Sequence, residues 1–554
     1  MADSGNPSAE PSLGNLTLSE QESASLADKE AKKAAKAAEK AAKEAAKAAR
    51  AAQRGQKQAV STQADPDDPL KDHYGDVELV QSQLVTDRKW TEVLQLTPEL
   101  KGQQVLVRAR VHAVRGKGKS AFLVLRQQFS TVQAVLFVDD VNVSKGLVKY
   151  AAAIPRESIV DVEGVIDSPE QPVEACSQSL VELKVTAIHV VSRAGALPFE
   201  VVDAARSAEQ LRKGQEAGEQ WVTVNQDTRL DNRTIDLRTP ANQAIFRLQS
   251  AVTQASELWR EALLSEGFME IHTPKLLSGA SEGGAAVFRF DYMGRPGCLA
   301  QSPQFYKQMA ICADFGKVFE IGPVFRAENS YTHRHLCEFT GLDMEMAIHE
   351  SYHEVLDVLD KLFVYMFEGL NSRCKQELAV VGEQYPFEPL KFLPKTLRLT
   401  FEEGIQMLQE AGFDADPLGD LTTELERSLG KLVKEKYNTE FYFLHRYPLA
   451  IRPFYTMPCK DDARYSNSFD IFIRGEEIIS GAQRVHDPEL LTERAKAWGI
   501  PLETIQSYID AFKYGATPHG GCGVGLERVV MLFCGLDNIR KTSMFPRDPK
   551  RLTP

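Results

Sequence analysis

The sequence predicts a multidomain α+β protein. It reads as a small β-barrel followed by a larger domain of antiparallel hairpins flanked by helices, with a basic helical or disordered extension in front. Three observations carry this. The chain has 554 residues, enough for several domains that each bury a core. Five short β-rich runs crowd into residues 104–191, separated by glycine and charged turns. Beyond residue 238, strand-like pairs alternate with stretches of helical periodicity. The boundaries read as 1–74 for the extension, 75–195 for the barrel, 196–238 for a loop-rich, charged hinge and 239–554 for the larger domain.

Composition narrows the function classes. The apolar share of 43% and charged share of 26% are those of an ordinary soluble globular chain. The net charge of −12 does not draw nucleic acid in bulk, so any such surface has to be a local basic patch. The eight cysteines are widely spread, with no Cys-x-x-Cys pair, which argues against a zinc ribbon and a disulfide framework and suits a reducing compartment, so a cytoplasmic location is expected. No run of about 18 apolar residues occurs, so no membrane partner is expected. Residues 1–28 are polar and acidic without an arginine, so neither a signal nor a transit peptide is expected.

Taken in order, residues 29–58 carry ten Lys or Arg against three Glu in a field of alanine. They form helix readily but offer no apolar face to a core. Such a helix is either a solvated spacer or a clamp on an RNA phosphate backbone. The runs Gln104–Val111, Ala121–Arg126, Val132–Val138, Ser158–Ile166 and Val181–Val191 suit a five-stranded barrel of the oligonucleotide-binding type. Phe122 and Gln133 are candidates for its base-binding face, with a core position as the plain alternative for Phe122. Thr239-Pro240 opens a long helix whose apolar positions run from Ile245 to Leu264, and Gly267 closes it. A short strand over 268–272 ends at Pro274, and a glycine-rich loop follows at 278–284.

The chemistry concentrates in the hairpin of residues 317–347. Alternation places Arg326 and Glu328 on one face, and Phe339, Gly341, Asp343 and Glu345 on one face of the return arm. The loop adds His333, Arg334 and His335. A fixed cation, carboxylates, an aromatic plate and bare backbone suit a polyanion with a flat ring, such as ATP; a solvated hairpin is the alternative. A second hairpin, 468–480, offers Asp470, Glu477 and Ser480, hard oxygen ligands suited to Mg2+. Glycine-rich residues 520–525 lead into a helix starting near Arg528. Two patterns mislead. His349-Glu-Ser-Tyr-His353 imitates a zinc site, but a helix beginning after Ser351 leaves His349 off it. Gly118-Lys119-Ser120 lacks the earlier glycine of a phosphate loop, since position 113 is Ala113.

In that order, the helix–strand ending at Pro274, the hairpin with Arg326-Ala-Glu328 and the Gly523-Val-Gly-Leu-Glu-Arg528 junction resemble the three signature motifs of class II aminoacyl-tRNA synthetases. The preceding barrel is similar to that of the Asp, Asn and Lys subgroup. The stretches Gln301–Lys307, Phe339–Glu345, Ser480–Arg484 and Phe545–Arg551 resemble eukaryotic cytosolic aspartyl enzymes.

The resemblance implies an OB-fold anticodon-binding domain, a class II catalytic domain and a homodimer with Pro274 at its interface. It implies formation of aspartyl-adenylate from ATP and L-aspartate, and transfer of aspartate to tRNA(Asp), with Mg2+ on Glu477, Asp470 and Ser480. Arg326 and Arg528 would be catalytic. Glu328, Arg334, His335, Leu336, Phe339, Glu477 and Gly525 would join them around ATP. Ser281, Glu282, Gln304, Lys307, Arg326, Asp343, Ser480 and Arg484 would hold aspartate. Phe122, Gln133 and Glu182 would meet the anticodon. An asparaginyl or lysyl enzyme of the subgroup is the nearest rival, and Lys307 with Gly341-Leu-Asp343 speaks against both. A catalytically silent RNA-binding paralogue is the other, and it should have lost Arg326, Glu477 or Arg528.

Overall fold

The computed structural model describes residues 64–82, 85–139, 141–250, 255–279 and 287–554. The basic stretch 29–58 and the loop residues Ser281 and Glu282 lie outside these. The chain divides into two compact units, Met1–Pro198 and Phe199–Pro554.

In the first unit, strands β1 (Tyr74–Asp76), β2 (Gln104–Lys117), β3 (Ser120–Gln127), β4 (Ser130–Phe137), β5 (Ile159–Asp167) and β6 (Glu182–Ser192) run in the order β1-β6-β4-β3-β2-β5. A further β5–β6 pairing closes the barrel, which leaves no open edge between them. Alternation decides the faces: Ala121, Leu123 and Leu125 point inward and are fully buried, while Phe122 and Val124 point outward. Phe122 therefore is not a core residue. A helix the runs of strand had not announced, α1 (Lys145–Ala152), is capped by Ser144 and packs Leu147 and Ala151 into the barrel core.

The second unit is built on an eight-stranded sheet. Its strands are β7 (Met269–Glu270), β8 (Lys317–Phe325), β9 (Glu338–Ala347), β10 (Leu397–Thr400), β11 (Phe441–His445), β12 (Ser468–Ile473), β13 (Glu476–Gln483) and β14 (His519–Gly525). They run in the order β10-β11-β12-β13-β14-β9-β8-β7, antiparallel except at the two outer pairs. The β12–β13 turn is Arg474-Gly475, with φ of 53° and 76°, the two positive values that a two-residue hairpin turn demands. Helices α2 (Pro240–Gln249), α3 (Ala255–Ser265), α4 (Gln304–Cys312), α5 (His353–Arg373), α6 (Thr423–Tyr437), α7 (Pro488–Ala497) and α8 (Leu526–Phe533) pack around it.

Three expectations change. The long helix from Pro240 ends at Gln249, with Ser250 extended at ψ 148°, and α3 is described from Ala255. Residues 199–238 are short helices tied to the second unit: Gln384 donates to Ala204 O at 2.8 Å, and Arg233 reaches Met544 O at 2.9 Å. A hinge would not be so anchored. Strand β13 continues through Ser480 to Gln483. The zinc lure fails as expected, since α5 begins at His353 and His349 lies before it. Among the described residues, no helix is long and apolar enough to cross a membrane.

Candidate active site

A cavity of about 300 Å³ opens on the sheet, walled by β8, β9, β13, β14 and the start of α8. Register brings its floor together. Asp343 on β9 and Ser480 on β13 both lie opposite Gly523 on β14, and Gly341 lies opposite Gly525. Glycine keeps that floor low: a Cβ on Gly341 would sit 2.8 Å from Asp343 Oδ2 and from Val324 Cγ2. The structure thus gathers Gln304, Arg326, Glu328, Arg334, His335, Leu336, Phe339, Asp343, Glu477, Ser480, Arg484, Gly525 and Arg528 around one space.

One end is a closed ionic cluster. Lys307, carried by α4 and only 2% exposed, donates to Asp343 Oδ1 at 3.0 Å and to Cys522 O at 2.9 Å. Its Nζ also lies 3.6 Å from Glu345 Oε2. Arg484 grips the same Glu345 through Nε and Nη2 at 3.0 and 3.2 Å. Burial opposes the charge on Glu345, but Arg484 and Lys307 outweigh it and hold the carboxyl below its ordinary range. Lys307 itself is not a lining side chain: it stands behind Asp343. Beneath lies a neutral relay. The Thr517 carbonyl can only accept, so His519 Nδ1 carries the proton (2.7 Å) and Nε2 accepts from the Gln308 amide (3.0 Å). Gln308 Oε1 then accepts from Gln304 at 2.7 Å and from Tyr508 at 2.9 Å.

The other end is charged but unbalanced. Arg326 extends the hairpin pairing by one bond to Cys337 O (2.9 Å) and lies 5.6 Å from the Phe339 ring centre. Arg528 donates to Glu477 O at 2.9 Å and Arg334 O at 3.2 Å, and burial pushes its pKa down. Arg528 Cβ and the Phe339 ring both lie within 4.0 Å of where Gly525 would carry a Cβ, so they flank one bare position. Burial, then the surrounding arginines 528, 334 and 326, push His335 down to about 4. Burial and nearby Asp470 push Glu477 up to about 7. Arg334 is held through Nη1 by Glu426 of α6 at 2.7 Å.

The acidic hairpin differs from its expected form. Both oxygens of Asp470 take Arg452, at 2.9 and 2.7 Å, and the same guanidinium reaches Ser480 Oγ at 2.8 Å. Asp470 and Ser480 thus meet an arginine where the sequence suggested a cation ligand set. Arg452 escaped the sequence reading because it lies in an irregular segment with no motif around it. Glu345 and Glu426 escaped too; only the same-face alternation with Asp343 pointed to the first, and nothing local to the second.

Residues 225–549 match the class II tRNA synthetases of the D, K and N group, and residues 105–191 match the OB-fold nucleic acid binding domains. The cytoplasmic aspartate–tRNA ligase 2 of Arabidopsis thaliana is 56% identical over 513 residues, covering 90% of this chain and 91% of its own. The cytoplasmic enzyme of Homo sapiens is 56% identical over 489 residues, covering 88% and 96%. The chain belongs to the class II aspartate–tRNA ligases. An aspartyl-tRNA synthetase structure from Entamoeba histolytica superposes with a TM-score of 0.80 at 48% identity, covering 87% of this chain and 96% of that one. An asparaginyl-tRNA synthetase from Pyrococcus horikoshii gives 0.71 at 29%, covering 84% and 100%.

For this ligase the barrel face is the second site to inspect. Phe122, half-buried on the outer face, meets Phe137 edge-on at 5.6 Å. Gln133 pairs with Glu182 in register, its amide 3.3 Å from Glu182 Oε2. All three candidates thus share one outward surface. Pro274 is exposed, and nearby Met269 and Leu276 are 49% and 53% exposed.

Proposed function

We propose that the cavity forms aspartyl-adenylate from L-aspartate and ATP and then passes aspartate to the 3′ end of tRNA(Asp). The supporting observation is that Arg484 shares one cavity with the Arg326–Phe339–Arg528 platform, while Lys307 lies buried behind Asp343 in its wall. An α-carboxylate oxygen of aspartate attacks the α-phosphorus in line, and the bond to pyrophosphate breaks. In the second step a hydroxyl of the terminal ribose attacks the activated carbonyl, and AMP leaves. Neither step needs a protein nucleophile, so the residues work by positioning and charge neutralisation.

Arg326 bridges the α-phosphate and the substrate carboxylate. Phe339 and Arg528 take the adenine ring between them, with Glu328 accepting from its amino group and Leu336 and Gly525 shaping the slot. Arg334 and the neutral His335 meet the outer phosphates. Arg484 reads the aspartate side chain, Lys307 acts through Asp343, and Gln304 is aimed by the Gln308–His519 relay. Replacing the side-chain carboxylate by an amide removes the charge that Arg484 reads, a loss of several kcal/mol in a buried site. Ser281 and Glu282 would cover the amino group.

Mg2+ fits Glu477, whose carboxyl is pushed up to about 7 by burial and Asp470, better than Asp470 or Ser480, which Arg452 satisfies. The ion, when bound, neutralises phosphate charge. Phe122, Gln133 and Glu182 contact the anticodon. Pro274, with Met269 and Leu276, joins two copies into a homodimer working in the cytoplasm. Pyrophosphate exchange with aspartate, asparagine and lysine tests the reading: exchange only with aspartate is expected, and exchange only with asparagine or lysine, or none, overturns it.

A further inference from the structure

A second depression, of about 370 Å³, lies outside the catalytic cavity. It is lined by Leu418, Pro448, Leu449, Ala450, Arg464, Arg494 and Trp498, among others. Three features set it apart from an ordinary surface dip. Its aromatic wall, Trp498, follows the last turn of α7 and is left 40% exposed, as is Leu418 at 39%. Its cations are unevenly matched. Arg464 is exposed and paired with Asp462 at 2.7 Å. Arg494 donates through Nε to Phe454 O at 2.6 Å, but its buried Nη2 has no hydrogen-bond partner among the described residues. No carboxylate is among the residues lining the groove.

The groove also abuts the active site. Pro448, Leu449 and Ala450 form its wall, while Arg452, Pro453, Tyr455 and Thr456 line the catalytic cavity. Only Ile451 separates Ala450 from Arg452, at most about 7 Å of chain. The Arg494–Phe454 bond ties the groove's unmatched cation to the same segment.

We infer that this groove is a subsite for the unpaired 3′ strand of the tRNA: a nucleobase stacks on Trp498, and Arg494 and Arg464 meet the flanking phosphates. Aromatic faces beside guanidinium groups are how single strands are held without sequence reading. The terminal ribose has to enter the cavity, so the nucleotides before it have to cross the adjoining surface. The inference rests on the tRNA-charging reading and adds a route for the strand.

The test compares wild type with Trp498→Ala, Trp498→Phe and Arg464→Ala in the full chain. Pyrophosphate exchange with aspartate reads the first step, single-turnover transfer to a tRNA(Asp) transcript reads the second, and binding is measured with intact transcript and with one lacking its unpaired 3′ nucleotides. Trp498→Ala should leave exchange unchanged and slow transfer roughly tenfold, in keeping with the loss of one base–aromatic stack. Trp498→Phe should recover most of that, and Arg464→Ala should cost less. The binding loss should vanish with the trimmed transcript. A loss that persists on trimmed tRNA would place the contact on the duplex and overturn the inference. So would a fall in exchange equal to the fall in transfer, or no change in either, which would leave the groove to another partner. Wild type failing to exchange aspartate would instead sink the function itself.

Discussion

The two ends of the catalytic cavity solve the same problem, charge in a buried place, in opposite ways. At the amino-acid end Lys307 and Arg484 are neutralised by Asp343 and Glu345, and the pairs are short and enclosed. At the nucleotide end burial pushes Glu477 up to about 7, His335 down to about 4 and Arg528 down as well. The first end is complete before substrate arrives. Under the proposed function, phosphates and a cation would supply the opposing charge at the second. A site that must discriminate one carboxylate from an amide gains from rigidity, whereas a site for a polyanion with its metal gains from being left unsatisfied.

The largest break in that contrast should come from Lys307→Leu. Removing one partner of a buried cluster costs about 3–5 kcal/mol, so kcat/KM for aspartate should fall roughly hundred- to several-thousandfold. ATP affinity should change little, and Asp343 and Glu345 should lose part of their compensation. Steady-state kinetics with each substrate varied in turn checks this; equal losses for ATP and aspartate would place Lys307 outside aspartate recognition.

The same chemical change at the two ends should give opposite stability signs. Glu345 is held below its ordinary range, so its contribution is present above about 4.5 and lost as pH falls further. Glu345→Gln should therefore lower Tm at pH 8. Glu477 is raised from 4.5 to about 7, so the folded state binds the extra proton and stability declines as pH rises through that window. Glu477→Gln should remove this decline and leave Tm at pH 8 unchanged or higher, while pyrophosphate exchange falls roughly hundredfold. Thermal melts between pH 4.5 and 8 read both, and equal Tm losses would erase the proposed difference between the ends.

How far the sequence foretold this follows the same divide. Barrel strands, the two hairpins and the Gly525–Arg528 junction were legible because alternation and turn chemistry are local. So was most of the nucleotide end, whose Arg326, Glu328, Arg334, His335 and Phe339 sit close together in one hairpin. The amino-acid end was legible only in part. Lys307, Glu345 and Arg484 come from α4, β9 and the residue just after β13, and only tertiary packing brings them together. Arg452 on Asp470 was not legible, since a guanidinium arriving from an irregular segment leaves no periodic trace. The end of α2 at Gln249 was missed because apolar spacing continues across it into α3.

On the barrel, Phe122→Ala should raise the KM for tRNA about tenfold, the scale of one base–aromatic contact, and leave exchange untouched. A fall in exchange would mean the substitution acts on folding instead.

The smallest effect sharpens the contrast from the nucleotide side. Glu426 is the one carboxylate from α6 that reaches Arg334, and it takes only Nη1. The remaining edge of the guanidinium is available to a phosphate, so Glu426 acts as a strut that aims Arg334. Burial raises the Glu426 pKa although Arg334 opposes it, and Glu426 has one cationic partner where Glu345 has Arg484 and Lys307. Glu426→Gln should raise the KM for ATP only two- to fivefold, because the amide oxygen can still accept from Arg334, with the aspartate KM unchanged. If ATP bound more tightly instead, Glu426 would be competing with the phosphates for Arg334. The nucleotide end would then be held closed by its own carboxylate, and the difference between the two ends would lie in which partner is displaced.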